Sequence, residues 1–284
     1  MNPNARSARA GGRRENIRAL SPLVELHETT GTGDACRIAE KLARAGAPLV
    51  VAAGGDGTVN EVVNGIAKAG AAARTTLGVL PAGTMNVFAA ELGLPSPRLD
   101  ACWRIIEHGQ RRRVDLWRIQ DTRFVQLAGA GMDAAIIRET TWELKKKFGP
   151  LSYVIAGLRL LLRRAPLMTV HADGQPTARG TVVLVGNGRR YGGPFHLFPA
   201  ALPGDGLLDV VVMRRHGLQE FYAIAKGLVS GRYGVGDEVT YFQTTALRIE
   251  AGEPLPYEAD GELAGTATVM EIRRDGSLEV MANG

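Results

Sequence analysis

Cysteine is scarce. Only Cys36 and Cys102 occur in 284 residues, each within a helical pattern and without metal-ligand spacing. That argues against a disulfide framework or a zinc site and for a reducing compartment. No apolar run approaches the roughly 18 residues that a membrane-spanning helix needs. The arginine-containing start has no apolar stretch behind it, so it does not read as a secretory signal. No internal repeat or low-complexity linker is visible, and no Walker A sequence occurs, which sets aside the P-loop nucleotide enzymes. What remains is a chain long enough for about two domains. Its 45% hydrophobic and 22% charged residues are ordinary for a soluble globular protein. The formal charge of +5 suits anionic partners of several kinds: nucleotide, nucleic acid or acidic lipid surface.

The most informative stretch covers residues 49–65, LVVAAGGDGTVNEVVNG. A short apolar run meets three glycines and an aspartate. Apolar residues then recur at helical spacing, at Val59, Val62, Val63 and Ile66. The pattern predicts a buried strand, a tight loop and a helix N-terminus, with Thr58 as its cap. Glycines there let a backbone approach a ligand closely. A helix start presents unpaired N–H groups and a partial positive charge, which suits phosphate. Asp56, beside that phosphate position, makes sense as a group that orients a metal ion or its water.

Gly54-Gly55-Asp56-Gly57-Thr58 with Asn60-Glu61 resembles the nucleotide loop of the diacylglycerol kinase-type lipid kinases. NAD kinases and 6-phosphofructokinases share its Gly-Gly-Asp-Gly core, so the family is selected by the rest of the chain. Leu23 to His27 reads as a strand, followed by a polar loop and a helix that Asp34 caps and Gly46 ends. Thr29 stands where the family has a nucleotide-contacting threonine. Leu77–Leu80 is a third buried strand, and Gly83-Thr84-Met85-Asn86 after it is similar to the family's second signature. Val87 follows where many members carry aspartate, a departure. Asn2-Pro3 resembles the pair that ends the family's first strand, although nothing precedes it here that could be that strand. Residues 100–108 read as a helix. Arg111-Arg112-Arg113 then leads into Val114-Asp115-Leu116-Trp117, where Asp115 matches the family's acidic partner of the first loop.

Strands dominate from about residue 112. Residues 129–134 formally match a dinucleotide fingerprint, weakly, because no βαβ unit with an acidic residue follows; the resemblance places Asp133 after a strand instead. Residues 135–164 read as helical, broken at Gly149-Pro150, with basic flanks at Lys145–Lys147 and Arg163–Arg164 that fit either a buried helix or a membrane-surface one. Met168–Ala172 and Thr181–Val185 read as a hairpin across Asp173-Gly174. Residues 201–209 resemble the third signature, which implies a structural Mg²⁺ held by the carbonyls of Leu202 and Leu207 and the carboxylate of Asp205. All-oxygen ligation suits that hard cation. Gly204 replaces a second aspartate common in the family. Gly217 to Gly231 reads as a helix. Val239–Phe242, Ala246–Glu250, Met270–Arg273 and Leu278–Met281 read as strands. Asp260-Gly261-Glu262 matches the fourth signature, whose glutamate is the general base.

The expected fold is α/β plus mainly β. A Rossmann-like α/β nucleotide domain over residues 1–112 is followed by a β-sandwich domain over residues 113–284, with a last strand that returns to the first domain. The resemblance implies an ATP-dependent lipid kinase with catalytic residues Glu262 and Asp56. Nucleotide contacts fall on Thr29, Gly55, Asp56, Gly57, Thr58, Val59, Asn60, Glu61, Thr84 and Asn86, and Asp56 and Asp115 orient Mg²⁺. It also implies a cytoplasmic protein working on a lipid at the inner face of the membrane, with no nucleic-acid partner and a homodimer left open. Two alternatives stand beside it: an NAD kinase, which lacks the third and fourth signatures, and a binding module that has lost catalysis.

Overall fold

The computed structural model describes residues 10–21, 24–131, 134–135, 165–192, 195–215 and 238–284. Asn2-Pro3, Asp133, the expected helices over 136–164 and 217–231, and the basic flanks Lys145–Lys147 and Arg163–Arg164 lie outside the described residues. Two compact units divide the chain. One comprises Met1–Leu116, Gly192–Pro194 and Gly276–Gly284; the other comprises Trp117–Tyr191 and Phe195–Asp275.

In the first unit, helix α1 (Ala10–Leu20) is followed by α2 (Asp34–Arg44), strand β1 (Leu49–Gly54), α3 (Asp56–Lys68) and β2 (Thr76–Pro81). After these come the short α4 (Val87–Glu91), α5 (Leu99–His108) and β3 (Gln110–Ile119), which passes into the second unit at Trp117. Helix α2 buries Ala35, Ala39 and Ala43 at four-residue spacing, and α3 buries the expected Val59, Val62, Val63 and Ile66. The two helices meet at Gly65, where an added Cβ would lie 2.3 Å from the carbonyl oxygen of Cys36. Only a hydrogen fits there. β1 and β2 run parallel, Leu49 opposite Thr76 through Gly54 opposite Pro81. β2 is buried throughout, as an apolar run in a covered parallel sheet should be. Val280, near the chain's end, pairs in parallel with Leu77 of β2.

Three local expectations for this unit need correction. Val24–His27 is irregular rather than a strand; His27 and Glu25 pair with each other at 3.0 Å instead. Asp34 is the first residue of α2, not its cap, and its carboxylate turns back to the N–H and hydroxyl of Thr30 at 2.7 and 2.6 Å. Thr58 lies within the first turn of α3, whose cap position is Gly55.

The second unit is built of antiparallel strands: β4 (Thr122–Phe124), β5 (Leu127–Gly131), β6 (Met168–Ala172), β7 (Ala178–Gly180), β8 (Val182–Gly186), β9 (Arg190–Tyr191), β10 (Phe195–His196), β11 (Leu208–Met213), β12 (Val239–Thr244), β13 (Ala246–Ala259) and β14 (Glu262–Ala282), which belongs to the first unit from Gly276 on. β14 pairs with β13, β13 with β5, β5 with β8, β8 with β11, and β11 with β12. Both faces of the middle strands are covered. Val183, Val185, Leu208, Val210 and Val212 enter one apolar cluster with Trp117, Phe124 and Met168. Val182, Leu184, Val211 and Met213 enter another with Leu197 and Phe198. That two-sided burial is why these strands are continuous apolar runs rather than alternating ones.

The expected hairpin is not the one formed. β6 pairs with β7 across Asp173-Gly174, while β8 joins β5 and β11. A Cβ on Gly180 would lie 2.3 Å from the carbonyl oxygen of Met213. At this crowded point the chain leaves β6 for the better-covered neighbours. The two strands expected over 270–281 are parts of one long strand, β14, carried past Gly276 (φ 113°).

Gly186 is where the β8 backbone lies against the Phe198 ring, with an added Cβ only 2.2 Å from a ring carbon. Because Phe198 is fully buried, Gly186→Ala is expected to lower stability by about 1–3 kcal/mol, the usual cost of overpacking a core. A shift of the urea unfolding midpoint at unchanged slope checks it.

Candidate functional site

In the first unit, three loops converge. Residues 54–58 and 81–86 meet backbone to backbone: a Cβ on Gly83 would fall 2.4 Å from the Cα of Gly55; within the first loop, one on Gly54 would fall 2.4 Å from Thr58 Oγ1. The Ala82 N–H donates to the Gly54 carbonyl at 2.9 Å. Asn86, in the left-handed region at φ 50°, braces its own loop. Its Oδ1 accepts the Gly83 N–H at 2.9 Å and its Nδ2 donates to the Gly83 carbonyl at 3.0 Å. Asp56 bridges the loops. Its Oδ1 accepts the Phe88 N–H at 3.1 Å; burial raises its carboxyl above the usual range, while main-chain N–H groups at the start of α4 oppose the rise.

The third loop, residues 29–34, is tied to α3 by Glu61. Its two carboxylate oxygens accept the N–H groups of Gly33 at 2.8 Å and Ala35 at 3.1 Å. Glu61 therefore satisfies donors at the start of α2 from a neighbouring helix. Hydrogen bonds from Thr30, first of all, and Arg37 hold the Asp34 carboxyl well below its usual range. Of the other expected nucleotide residues, Thr29, Val59 and Asn60 are buried, and Asn60 accepts two hydrogen bonds from Asn64. Gly55, Gly57 and Thr58 are half-buried and Thr84 is exposed. Asp115 is wholly buried on β3.

In the second unit, Asp260 and Gly261 form the two-residue connection between β13 and β14, with Ala259 paired to Glu262. Both central residues have positive φ, 49° and 82°, the signature of the type I′ turn that Asp-Gly favours. The Asp260 side chain is 7% exposed and accepts three main-chain N–H groups, from Val125 at 3.1 Å, Gln126 at 2.9 Å and Leu127 at 3.1 Å. Its own N–H donates to the Leu127 carbonyl at 2.8 Å. The same bend is held from its other side by Asn187, which accepts from Trp117 Nε1 at 2.9 Å and donates to the Val125 carbonyl at 2.6 Å. Glu262, by contrast, is exposed. Sequence reasoning passed over Asn187 and Glu258. Glu258 lies on β13 with 0% exposure, a placement that only the structure reveals.

The turn over residues 202–207 closes on itself. Asp205 donates its N–H to the Leu202 carbonyl at 3.2 Å and accepts the Leu207 N–H at 2.9 Å. Its side-chain and carbonyl donors are all oxygen and near the surface, a set that fits a hard cation. Among the described residues no group of three or more His, Cys, Asp or Glu side chains gathers to hold a metal. Beneath the turn, Asp209 is hydrogen-bonded by Tyr241 and Gln243. Burial, and to a smaller degree the Asp205 charge, push its carboxyl up.

Comparison with known proteins agrees with this two-part arrangement. Residues 1–119 match the diacylglycerol kinase catalytic domain, and residues 126–282 match the YegS C-terminal NAD kinase beta sandwich-like domain. These matches define a two-domain kinase of the α/β plus β-sandwich class. The chain belongs to the diacylglycerol kinase catalytic-domain family, a family of lipid kinases. It is 31% identical over 245 residues to a diacylglycerol kinase of Bacillus subtilis, covering 85% of this chain and 80% of that one. A YegS-like protein of Chromohalobacter salexigens, named a probable lipid kinase, is 33% identical over 265 residues, 91% of this chain and 85% of the relative. A crystal structure of a diacylglycerol kinase from Bacillus anthracis shares the fold at a TM-score of 0.75 and 22% identity, over 99% of this chain and 94% of that one. Among the described residues no helix is long and apolar enough to cross a membrane.

Because Glu61 caps α2 from outside it, Glu61→Ala is expected to cost about 0.5–2 kcal/mol, the range for a lost N-terminal cap. Glu61→Gln, which keeps one acceptor oxygen, is expected to lose less. Chemical denaturation of the two variants beside wild type checks the order.

Proposed function

We propose that the chain transfers the γ-phosphoryl group of ATP to the hydroxyl of a lipid alcohol of the diacylglycerol kind. The observation that carries this reading is Glu262: an exposed carboxylate at the mouth of a rigid type I′ turn, in a chain of the lipid kinase family. Nucleotide phosphates are assigned to the first unit. There Gly55, Gly57, Thr58 and Thr84 offer small side chains, hydroxyls and the main-chain N–H groups of the α3 start. Thr29, Asn60, Glu61 and Asn86 shape that site by holding its loops. Phosphoryl transfer asks for positioning and charge neutralisation more than covalent chemistry.

Glu262 takes the proton from the lipid hydroxyl as its oxygen attacks the γ-phosphorus. The new O–P bond forms as the bond from the γ-phosphorus to the bridging oxygen breaks, and ADP departs. A hard cation, when bound, neutralises phosphate charge; Asp56 and Asp115 are assigned to orient Mg²⁺ there, and Leu202, Asp205 and Leu207 to hold a structural Mg²⁺. The proposed setting is cytoplasmic, at the inner face of a membrane. Neither a nucleic-acid partner nor oligomerisation is required by this chemistry.

Glu262→Gln keeps size and hydrogen-bonding reach but cannot take a proton. Transfer of labelled γ-phosphate from ATP to diacylglycerol in mixed micelles is expected to fall by about two to four decades in kcat, with ATP affinity unchanged. An ATP affinity that collapses while kcat holds would move Glu262 into the nucleotide site. For the second metal assignment, wild type is expected to melt at higher temperature as Mg²⁺ is added, and Asp205→Asn to show little of that dependence. Melting curves that ignore Mg²⁺ in both proteins refute it.

A further inference from the structure

We infer that Glu258 is the positioning residue of the proposed general base, setting the Glu262 turn through the Gly261 amide. The inference rests on the reading of Glu262 as that base. Glu258 lies on β13 with 0% of its surface exposed, where a carboxylate is costly unless it is hydrogen-bonded. Its Oε2 accepts the Gly261 N–H at 2.8 Å. Gly261 immediately precedes Glu262, so this bond acts one peptide from the functional side chain.

Two further features of the backbone converge on the same spot. The Asp260-Gly261 turn has positive φ at both residues, the conformation that an Asp-Gly pair favours. The pairing of β13 with β14 also slips between Tyr257 and Glu258. Tyr257 faces Gly265, but Glu258 faces Leu263, leaving Ala264 as the extra residue of a bulge. A bulge re-aims the side chains beside it. Past this one, the two residues that lead β14, Glu262 and Leu263, are both exposed, Leu263 at 46%.

The two carboxylates divide the work. Asp260 fastens the turn to the bend at residues 125–127. That bond set governs where the turn is, and losing it would disturb the core. Glu258 bonds within the turn itself, three residues on. It governs how the last peptide of the turn is oriented, and so the direction in which the Glu262 side chain departs. Mispointing a catalytic group by a small angle or distance lowers turnover without changing what the enzyme binds.

The test uses the full chain. Glu258→Leu removes the acceptor at similar volume, and Glu258→Gln keeps an acceptor oxygen in the same place. Steady-state transfer from ATP to diacylglycerol in mixed micelles gives kcat and the KM for ATP. Hydrogen–deuterium exchange of the peptide spanning residues 258–265 reports the turn directly. Expected for Glu258→Leu are a 10- to 100-fold lower kcat, an unchanged KM for ATP and faster exchange confined to that peptide. Glu258→Gln is expected to restore most of kcat and protection. Wild-type kcat and exchange in Glu258→Leu would overturn the inference. So would a loss of ATP binding together with faster exchange throughout the chain, which marks a purely structural role. An unprotected Gly261 amide in the wild-type protein would overturn it without any variant. If the wild-type protein phosphorylates no diacylglycerol, the kinase reading fails by itself, and the exchange data still decide whether Glu258 holds the turn.

Discussion

A buried main-chain N–H must find an acceptor, and at the bend between β4 and β5 three consecutive ones find the same carboxylate. Much of the second unit depends on that arrangement. Val125 and Gln126 lie between β4 and β5 and Leu127 opens β5, all three buried, and without Asp260 their donors would face an apolar core. Asp260 reaches them only because it takes a left-handed conformation at the β13–β14 turn. The same conformation places Glu262 at the start of β14. Asn187 closes the bend from the other side, joining Trp117 to it across 70 residues of sequence. One electrostatic requirement thus connects the core to the residue proposed to do the chemistry.

The first unit meets a different constraint, the closeness of two backbones. Gly83 approaches Gly55 so nearly that a Cβ on it would fall 2.4 Å from the Gly55 Cα. Asp56 and Glu61 then serve as ties: one holds the α3 start to the α4 start, the other holds α3 to the start of α2. Acidic residues are suited to this because each tie ends on N–H groups at a helix start, where partial positive charge collects. Val87, apolar and buried, leaves Asp56 as the carboxylate at this junction that the α4 amides engage.

The buried strands β1 and β2, the helices α3 and α5, and the turn at Asp260-Gly261 were legible because each is written in a local pattern. Their apolar runs, their 3.6-residue spacing and their Asp-Gly pair act over a few residues. Expectations failed where one residue type serves more than one local role, or where a neighbouring strand decided the pairing. Val24–His27 has strand-like residues but is irregular, Asp34 resembles a cap but bonds backwards to Thr30, and Thr58 falls inside the helix it was expected to cap. The hairpin expected between β6 and β8 gave way to β6–β7 because β8 is covered on both faces only beside β5 and β11.

The sequence by itself determined the division into an α/β part and a strand-rich part, the glycine loops that let backbones meet, and the acidic turn that ends in Glu262. Those are properties of residue type and short spacing, which survive in any conformation of the rest of the chain. Only the tertiary structure decided that Glu61 is a cap for another helix, that Asp260 is committed to residues 125–127, and that Glu258 reaches the Gly261 amide. The physical reason is the same in each case. A carboxylate's role is fixed by the donors around it, and here most of those donors come from segments that only folding brings near.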